Sequence, residues 1–225
     1  MPLCHRPVLW HVIERLRAVG CVDDIIVATS VAPVDDAIVR FVEGLDESDI
    51  RCIRGSEEDV LERFYLAICR HSPDVVARIT ADSPLLSVRH LRRMLTHLVD
   101  HQLDGVDAHH HKTGLTLGFG SEAYHYQALV DAHLLAVNPV EREHVSLFIK
   151  KRPYAFRVAY PEPRTALCTD FRLTLDYPED YRLLSAIYDA LYEPGTVVDC
   201  LQVVQWLRRR PDLVQINAHC VQKAS

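Results

Sequence analysis

Two aspartates stand where sheet-edge chemistry is expected. The stretch Val75-Val76-Ala77-Arg78-Ile79-Thr80 is apolar and β-branched with no charge before Arg78, and it breaks at Ala81-Asp82-Ser83-Pro84. That pattern predicts a strand covered on both faces, ended by a proline that cannot donate to a ladder. Asp82 is then left at the carboxyl end of the strand, where ligands collect in open α/β sheets. Phe171-Arg172-Leu173-Thr174-Leu175-Asp176 repeats the pattern, with Pro178 at the start of a helix. Taken singly, each aspartate is more often a turn or helix cap. Two carboxylates converging at one edge can hold Mg2+ against phosphate oxygens. A third candidate is the triplet His109-His110-His111. Consecutive imidazoles point to different sides, so solvated histidines are preferred over a metal site there.

The elements that must position these groups alternate in type. Val8, Leu9, Val12, Ile13, Leu16 and Val19 recur at helical spacing, so 7–19 reads as a helix stopped by Gly20. A strand at 25–30, a helix at 37–45 and a strand at 50–53 follow. Ser56 with Asp59 three residues on resembles a capping box and starts a helix over 57–70. The strand at 75–80 leads to a helix at 87–101. Strand and helix at this spacing predict a three-layer, mostly parallel α/β sheet. The stretch 104–126, rich in glycine and histidine, reads as a β excursion that leaves the sheet and returns. Helices are expected at 127–137, 140–151, from Pro178 and at 198–209, with strands at 156–161 and 171–176. Arg208-Arg209-Arg210 at the end of the last helix complements its dipole.

The totals narrow the function classes. A chain of 225 residues with 48% hydrophobic content supports one core, so 1–225 reads as a single domain. A formal net charge of -6 argues against nucleic acid as a partner. No apolar run is long enough to cross a bilayer, and the first residues lack a signal-peptide pattern. The seven cysteines contain no C-x-x-C pair, which fits reduced thiols in a cytoplasm.

Four segments carry a resemblance: Gly55-Ser-Glu-Glu-Asp-Val-Leu-Glu-Arg-Phe64, Arg78-Ile-Thr-Ala-Asp-Ser-Pro-Leu-Leu86, Glu141-Arg-Glu-His-Val145 and Leu175-Asp-Tyr-Pro-Glu-Asp-Tyr181. Together they are similar to the cytidylyltransferases, in the branch of spore-coat polysaccharide biosynthesis protein F, related to acylneuraminate and keto-deoxyoctulosonate cytidylyltransferases. The resemblance implies a Rossmann-like fold of the nucleotide-diphosphate-sugar transferase type. It implies Mg2+-dependent attack of a sugar-acid or related oxygen on the α-phosphorus of CTP, with loss of pyrophosphate, in surface polysaccharide biosynthesis. By the same resemblance Asp82 and Asp176 hold the metal, and Arg78 faces the phosphates or the acidic substrate. Glu122, Arg142, Glu143 and His144 fall on the acceptor side. Thr29, Arg54, Gly55 and Ser56 fall on the nucleotide side. A homodimer that exchanges part of 104–126 is implied as well.

Three departures from the family pattern stand out. The family's strand and basic loop, Q-A-R-x-x-S-x-R-L-P-G-K, has no counterpart before Pro7. Its glycine before the metal aspartate is Ala81, and its G-x-D-x-E segment reads Gly118-Phe119-Gly120-Ser121-Glu122. The missing loop allows two accounts: a native start further upstream, the account preferred here, or a degenerate relative that binds a nucleotide or nucleotide-sugar without turnover. A glycosyltransferase ranks third, because no Asp-x-Asp pair has the spacing that class uses for its metal.

Overall fold

The computed structural model describes residues 1–222. A short antiparallel pair, β1 (Pro2–Leu3) and β2 (Arg6–Pro7), precedes helix α1 (Val8–Val19). Strand β3 (Ile25–Ser30), helix α2 (Asp36–Glu43), strand β4 (Ile50–Gly55) and helix α3 (Val60–Ile68) come next. Strand β5 (Val75–Arg78) and helix α4 (Val88–Asp100) follow. Strand β6 (Gly105–Asp107), a single helical turn α5 (His110–Thr113) and strand β7 (Glu122–His125) occupy the middle of the chain. Helices α6 (Tyr126–Leu135), α7 (Pro139–Glu143) and α8 (Leu147–Lys150) lead to strand β8 (Val158–Ala159). Helices α9 (Pro178–Leu191), α10 (Cys200–Arg208) and α11 (Pro211–Val214) complete the order.

The strands form two main sheets. β3 and β4 pair in parallel, and the other sheet runs β5-β7-β6-β8. β7 is antiparallel to both β5 and β6, whereas β6 and β8 are parallel. β5, β6 and β8 therefore point one way and β7 alone is reversed. Side chains alternate across this sheet and define its layers. Val75, Ala77, Val106 and Ala123 face a core built with Met94 and Leu98 of α4, Leu184 of α9 and Val204 of α10. Val76, Tyr124 and Val158 face the opposite core, with Leu61 of α3, Leu129 of α6 and Ile149 of α8. A third core packs β3 and β4 against Ile13 of α1 and Val42 of α2. This is the expected three-layer α/β arrangement.

Several boundaries differ from the sequence expectation, each for a local reason. α3 starts at Val60 because Asp59 is its cap and accepts from the Glu62 amide at 2.9 Å, while Ser56 Oγ accepts from the Asp59 amide at 2.9 Å. The helix expected over 140–151 is two short ones, broken where His144 takes φ -101 and ψ 72. The strand expected at 171–176 does not form, and only an isolated bridge joins Arg172 to Leu117. Its amides serve two different neighbours: Leu173 donates to Leu117 O at 3.0 Å and Leu175 to Asp82 O at 2.9 Å. The strand at 156–161 shrinks to β8. Within 104–126, the ends are the two middle strands of the sheet, and 108–121 is the part that leaves its edge and returns.

Candidate active site

β7 is reversed, so its first residue meets the last residues of both neighbouring strands. Arg78 of β5, Glu122 of β7 and Asp107 of β6 are register partners in one row. The row lies at the carboxyl ends of β5 and β6, the usual ligand edge. Glu122 has no exposed surface. Its Oε1 accepts from Arg78 Nη1 at 2.7 Å. Its Oε2 accepts from Lys150 Nζ at 2.8 Å, Ser146 Oγ at 2.8 Å and Tyr124 OH at 3.0 Å. Asp107 is equally buried. Its Oδ1 accepts from the His109 amide at 2.9 Å and lies 2.6 Å from His109 Nδ1, and its Oδ2 accepts from Lys150 Nζ at 3.1 Å.

Local backbone makes the row possible. The break after α7 lets Ser146 and Lys150, four residues apart, reach the same carboxylate. Gly118 has φ +95, and a Cβ there would lie 2.4 Å from the Leu173 carbonyl; one on Gly120 would lie 2.5 Å from Ala108 O. These two glycines let the 116–121 loop lie against neighbouring backbone and deliver Glu122 to the edge.

The electrostatics of the row are balanced internally. Burial opposes the ionisation of Glu122, but Arg78, Lys150 and His109 outweigh it and hold its carboxyl down to about 2. Burial likewise opposes the ionisation of Asp107, and the His109 hydrogen bond and the charges of His109 and Lys150 hold it below the ordinary carboxylate range. Burial pulls Lys150 down, yet Glu122 and Asp107 leave it raised. Burial and the Glu122 charge push the Tyr124 hydroxyl up. At neutral pH the site therefore holds two carboxylates, one ammonium and one guanidinium.

Ligand atoms of Asp107, His109 and Glu122 all lie within 4.8 Å of one another, close enough to suggest a metal centre. Their bonding argues against it. Every carboxylate oxygen already accepts a hydrogen bond, and Lys150 with Arg78 cancels both negative charges. A cation entering here has to displace half-buried Lys150 and leave it unpaired, which is costly.

Asp82 and Asp176 are held differently. Asp82 is half-buried, and among the described residues its Oδ1 accepts only from the hydroxyls of Thr80 and, at 3.1 Å, Ser83. Asp176 Oδ2 accepts from Arg172 Nη2. The Leu175 amide joins the two segments through Asp82 O. Neither aspartate is used as a cap. Ser87 caps α4, and Asp180 accepts from the amides of Asp176 and Tyr177 at 2.9 and 3.0 Å. Asp82 Oδ2 and Asp176 Oδ1 have no hydrogen-bond partner among the described residues. Hard, partly solvated oxygens of this kind fit Mg2+, which keeps several waters and takes one or two carboxylates.

The expected nucleotide side is assembled at the ends of β3 and β4, where Thr29 is paired with Arg54 and Ser30 with Gly55. Thr29 Oγ1 donates to Asp35 at 2.8 Å, and Arg54 binds Asp36 at 2.7 Å and the carbonyls of Ser30 and Ala32. A Cβ on Gly55 would lie 3.1 Å from the Arg63 backbone. Ser56 O accepts from Arg63 Nη1 at 2.7 Å.

Arg142 stands apart from the row. Its Nε donates to Asp59 at 2.6 Å, and its Nη1 reaches the carbonyls of His133 at 3.1 Å and Ala136 at 2.9 Å. It ties α7 to the cap of α3 and the end of α6. Glu143 is exposed, and His144 sits in the break between α7 and α8.

Sequence reasoning named Arg78 and Glu122, weighed His109 only as part of a histidine triplet, and missed Asp107, Ser146 and Lys150. The i, i+4 spacing of Ser146 and Lys150 after the Glu141–Val145 motif was an available signal. Asp107 had none.

The comparisons with known proteins agree with one another. The sequence model of the family described as Cytidylyltransferase matches residues 1–193. An uncharacterized protein of Methanocaldococcus jannaschii is 35% identical over 228 residues, covering 100% of this chain and 89% of that protein. The spore coat polysaccharide biosynthesis protein SpsF of Bacillus subtilis is 30% identical over 192 residues, covering 84% of this chain and 77% of that one. Among solved structures, a cytidylyltransferase from Leptospira borgpetersenii superposes with a TM-score of 0.86 at 20% identity, covering 100% of this chain and 90% of that one.

Proposed function

The chain belongs to the cytidylyltransferase family, and from that premise we propose a Mg2+-dependent enzyme that moves CMP from CTP to a sugar acid or related acceptor, releasing pyrophosphate, in surface polysaccharide biosynthesis. One arrangement supports this reading most. Arg78 and Lys150 are fixed by a fully buried Glu122 at the strand ends, and four residues after Arg78 stands Asp82, a carboxylate held among the described residues by hydroxyls. The cations suit an acidic acceptor, and the Asp82 turn suits a metal-bound triphosphate.

In this reading Mg2+ is held by Asp82 and Asp176, and when bound it neutralises charge on the phosphates. Arg78 and Lys150 orient the acceptor. Glu122 acts through them, since both its oxygens are engaged by protein donors. Thr29, Arg54, Gly55 and Ser56 shape the nucleotide side, with Glu143 and His144 near the acceptor and Arg142 a strut. Displacement at phosphorus needs alignment and charge compensation more than covalent help, and these residues are suited to that work. A homodimer that packs through the 108–121 loop belongs to the same reading and is tested by sedimentation equilibrium.

Titration of CTP with Mg2+ into the full chain, together with pyrophosphate release in the presence of 3-deoxy-manno-octulosonate or N-acetylneuraminate, tests the proposal. Binding with acceptor-dependent release is expected. The other reading this titration addresses is a nucleotide binder without turnover. Micromolar binding with no release would select it. No described helix is long and apolar enough to cross a membrane.

A further inference from the structure

His109 is bound on one side and open on the other. Its Nδ1 lies 2.6 Å from Oδ1 of fully buried Asp107, and a third of its side chain, 34%, remains exposed. Its Nε2 has no hydrogen-bond partner among the described residues. A carboxylate that accepts from Nδ1–H fixes the imidazole tautomer and leaves Nε2 as the basic nitrogen. Asp107 also accepts from the His109 amide and from Lys150, so it is anchored from three directions. That is the construction of a general base with an orienting carboxylate behind it.

We propose that the Asp107–His109 pair is the proton acceptor for the attacking hydroxyl of the acceptor substrate. The inference rests on the cytidylyltransferase reading and adds a catalytic residue to it. The acceptor O–H gives its proton to His109 Nε2 as its oxygen forms a bond to the α-phosphorus of CTP. The bond from that phosphorus to the bridging oxygen breaks, pyrophosphate leaves with the electron pair, and His109 later releases the proton to solvent. Arg78 and Lys150 are close enough to hold an acidic acceptor, since both bind Glu122 and Glu122 Oε2 is 4.0 Å from His109 Nδ1. The Asp82 turn, where this reading places the metal-bound triphosphate, begins within four residues of Arg78, at most about 14 Å along the chain.

The charged and titratable groups around His109 come from every neighbouring element. Asp107 is on β6, Glu122 on β7, Lys150 on α8 and Arg78 on β5 behind Glu122. His111, whose ring is stacked 6.2 Å away, and Lys112 are on α5. Tyr160 follows β8, with Lys112 Nζ 5.6 Å from its ring. Of these, Asp107 lies 2.6 Å and Glu122 4.0 Å from His109 Nδ1.

Two measurements on the full chain test the proposal. Heteronuclear NMR of the imidazole nitrogens should find neutral His109 in the Nδ1–H tautomer, with Asp107→Asn altering the tautomer ratio. An Nε2–H tautomer in the native chain overturns the dyad whatever the substrate. Pyrophosphate release from CTP and Mg2+ with 3-deoxy-manno-octulosonate should fall about 10²–10³-fold in kcat for His109→Gln, with KM values within about threefold, an unchanged melting temperature and loss of the acid limb of the kcat–pH profile. Asp107→Asn should fall less, by about 10–100-fold. A His109→Gln enzyme within threefold of wild type, or one that keeps the acid limb, overturns the base while the parent reading stands. Absence of release from the wild-type chain with both 3-deoxy-manno-octulosonate and N-acetylneuraminate overturns the parent reading, and the base with it.

Discussion

Glu122 and Asp82 are both carboxylates at the strand ends, and they are completed in opposite ways. Glu122 is sealed from solvent and receives four hydrogen bonds, two of them from cations. Asp82 is half-buried and receives two, both from hydroxyls. Proximity of acidic groups alone would send a metal to the first cluster. Counting charge and lone pairs favours the second, because there a carboxylate oxygen remains for a cation without unpairing the half-buried Lys150. The general lesson is that a carboxylate already neutralised by the protein organises other side chains, and one left to hydroxyls is available to a ligand.

The sharpest way to break this comparison is to remove each carboxylate in turn. Glu122→Ala leaves Arg78 and Lys150 without their shared partner and should cost about 3–5 kcal/mol of folding stability. Asp82→Ala, which strands no cation, should change stability by about 1 kcal/mol or less. Urea unfolding of the two variants decides it; equal losses would mean that the two sites are not electrostatically different.

Metal binding sharpens the same contrast. Asp82→Asn should lower kcat for CTP turnover by about 10²–10³-fold, or about 2.7–4 kcal/mol. It should also weaken Mn2+ binding followed by electron paramagnetic resonance. Asp107→Asn should leave Mn2+ binding unchanged. Mn2+ binding that depends on Asp107 and not on Asp82 would reverse the assignment.

Much of the scaffold behind this contrast is legible in the sequence, and the reasons are local. β3 matches its expected span, 25–30, α1 and α4 begin and end within a residue of expectation, and α9 begins at Pro178 as expected, because each has a clear period and a stop or cap. β6 and β7 are three and four residues long and sit among histidines and glycines, so no period marks them. The reversal of β7 is a matter of pairing, which a linear pattern does not encode. The site divides along the same line. Arg78 and Glu122 lie in motifs that resemble the family, whereas Asp107 and Lys150 are 43 residues apart and meet only because β6 and α8 converge on one carboxylate.

Acid titration probes the sealed carboxylate. The folded Glu122 carboxyl is held down to about 2 from an ordinary 4.5, so the native state stays ionised where the unfolded chain takes up protons. Its stabilisation is fully present above about pH 4.5 and is lost as pH falls toward 2, by on the order of 2–3 kcal/mol. Glu122→Gln should flatten that part of the stability–pH curve. Asp82→Asn should leave it intact, and an equal flattening by Asp82→Asn would show that the acid sensitivity has another origin.

The smallest effect separates two arginines. Arg78 binds the carboxylate hub in the site and is 23% exposed, so part of its guanidinium faces the region where an acceptor is proposed. Arg142 has a similar exposure, 22%, but its fork is occupied by Asp59 and two carbonyls. Burial opposes the ionisation of Asp59, and Arg142 with the Glu62 amide nonetheless holds it low. Lysine keeps the charge at either position and loses the fork. Arg142→Lys should therefore cost about 1–2 kcal/mol of stability through the lost carbonyl bonds, with the acceptor KM unchanged. Arg78→Lys should raise the acceptor KM while costing less stability, since a lysine can still reach Glu122. Paired melting curves and initial-rate kinetics on the two variants would separate strut from ligand, and a raised KM in Arg142→Lys would return that residue to the acceptor side.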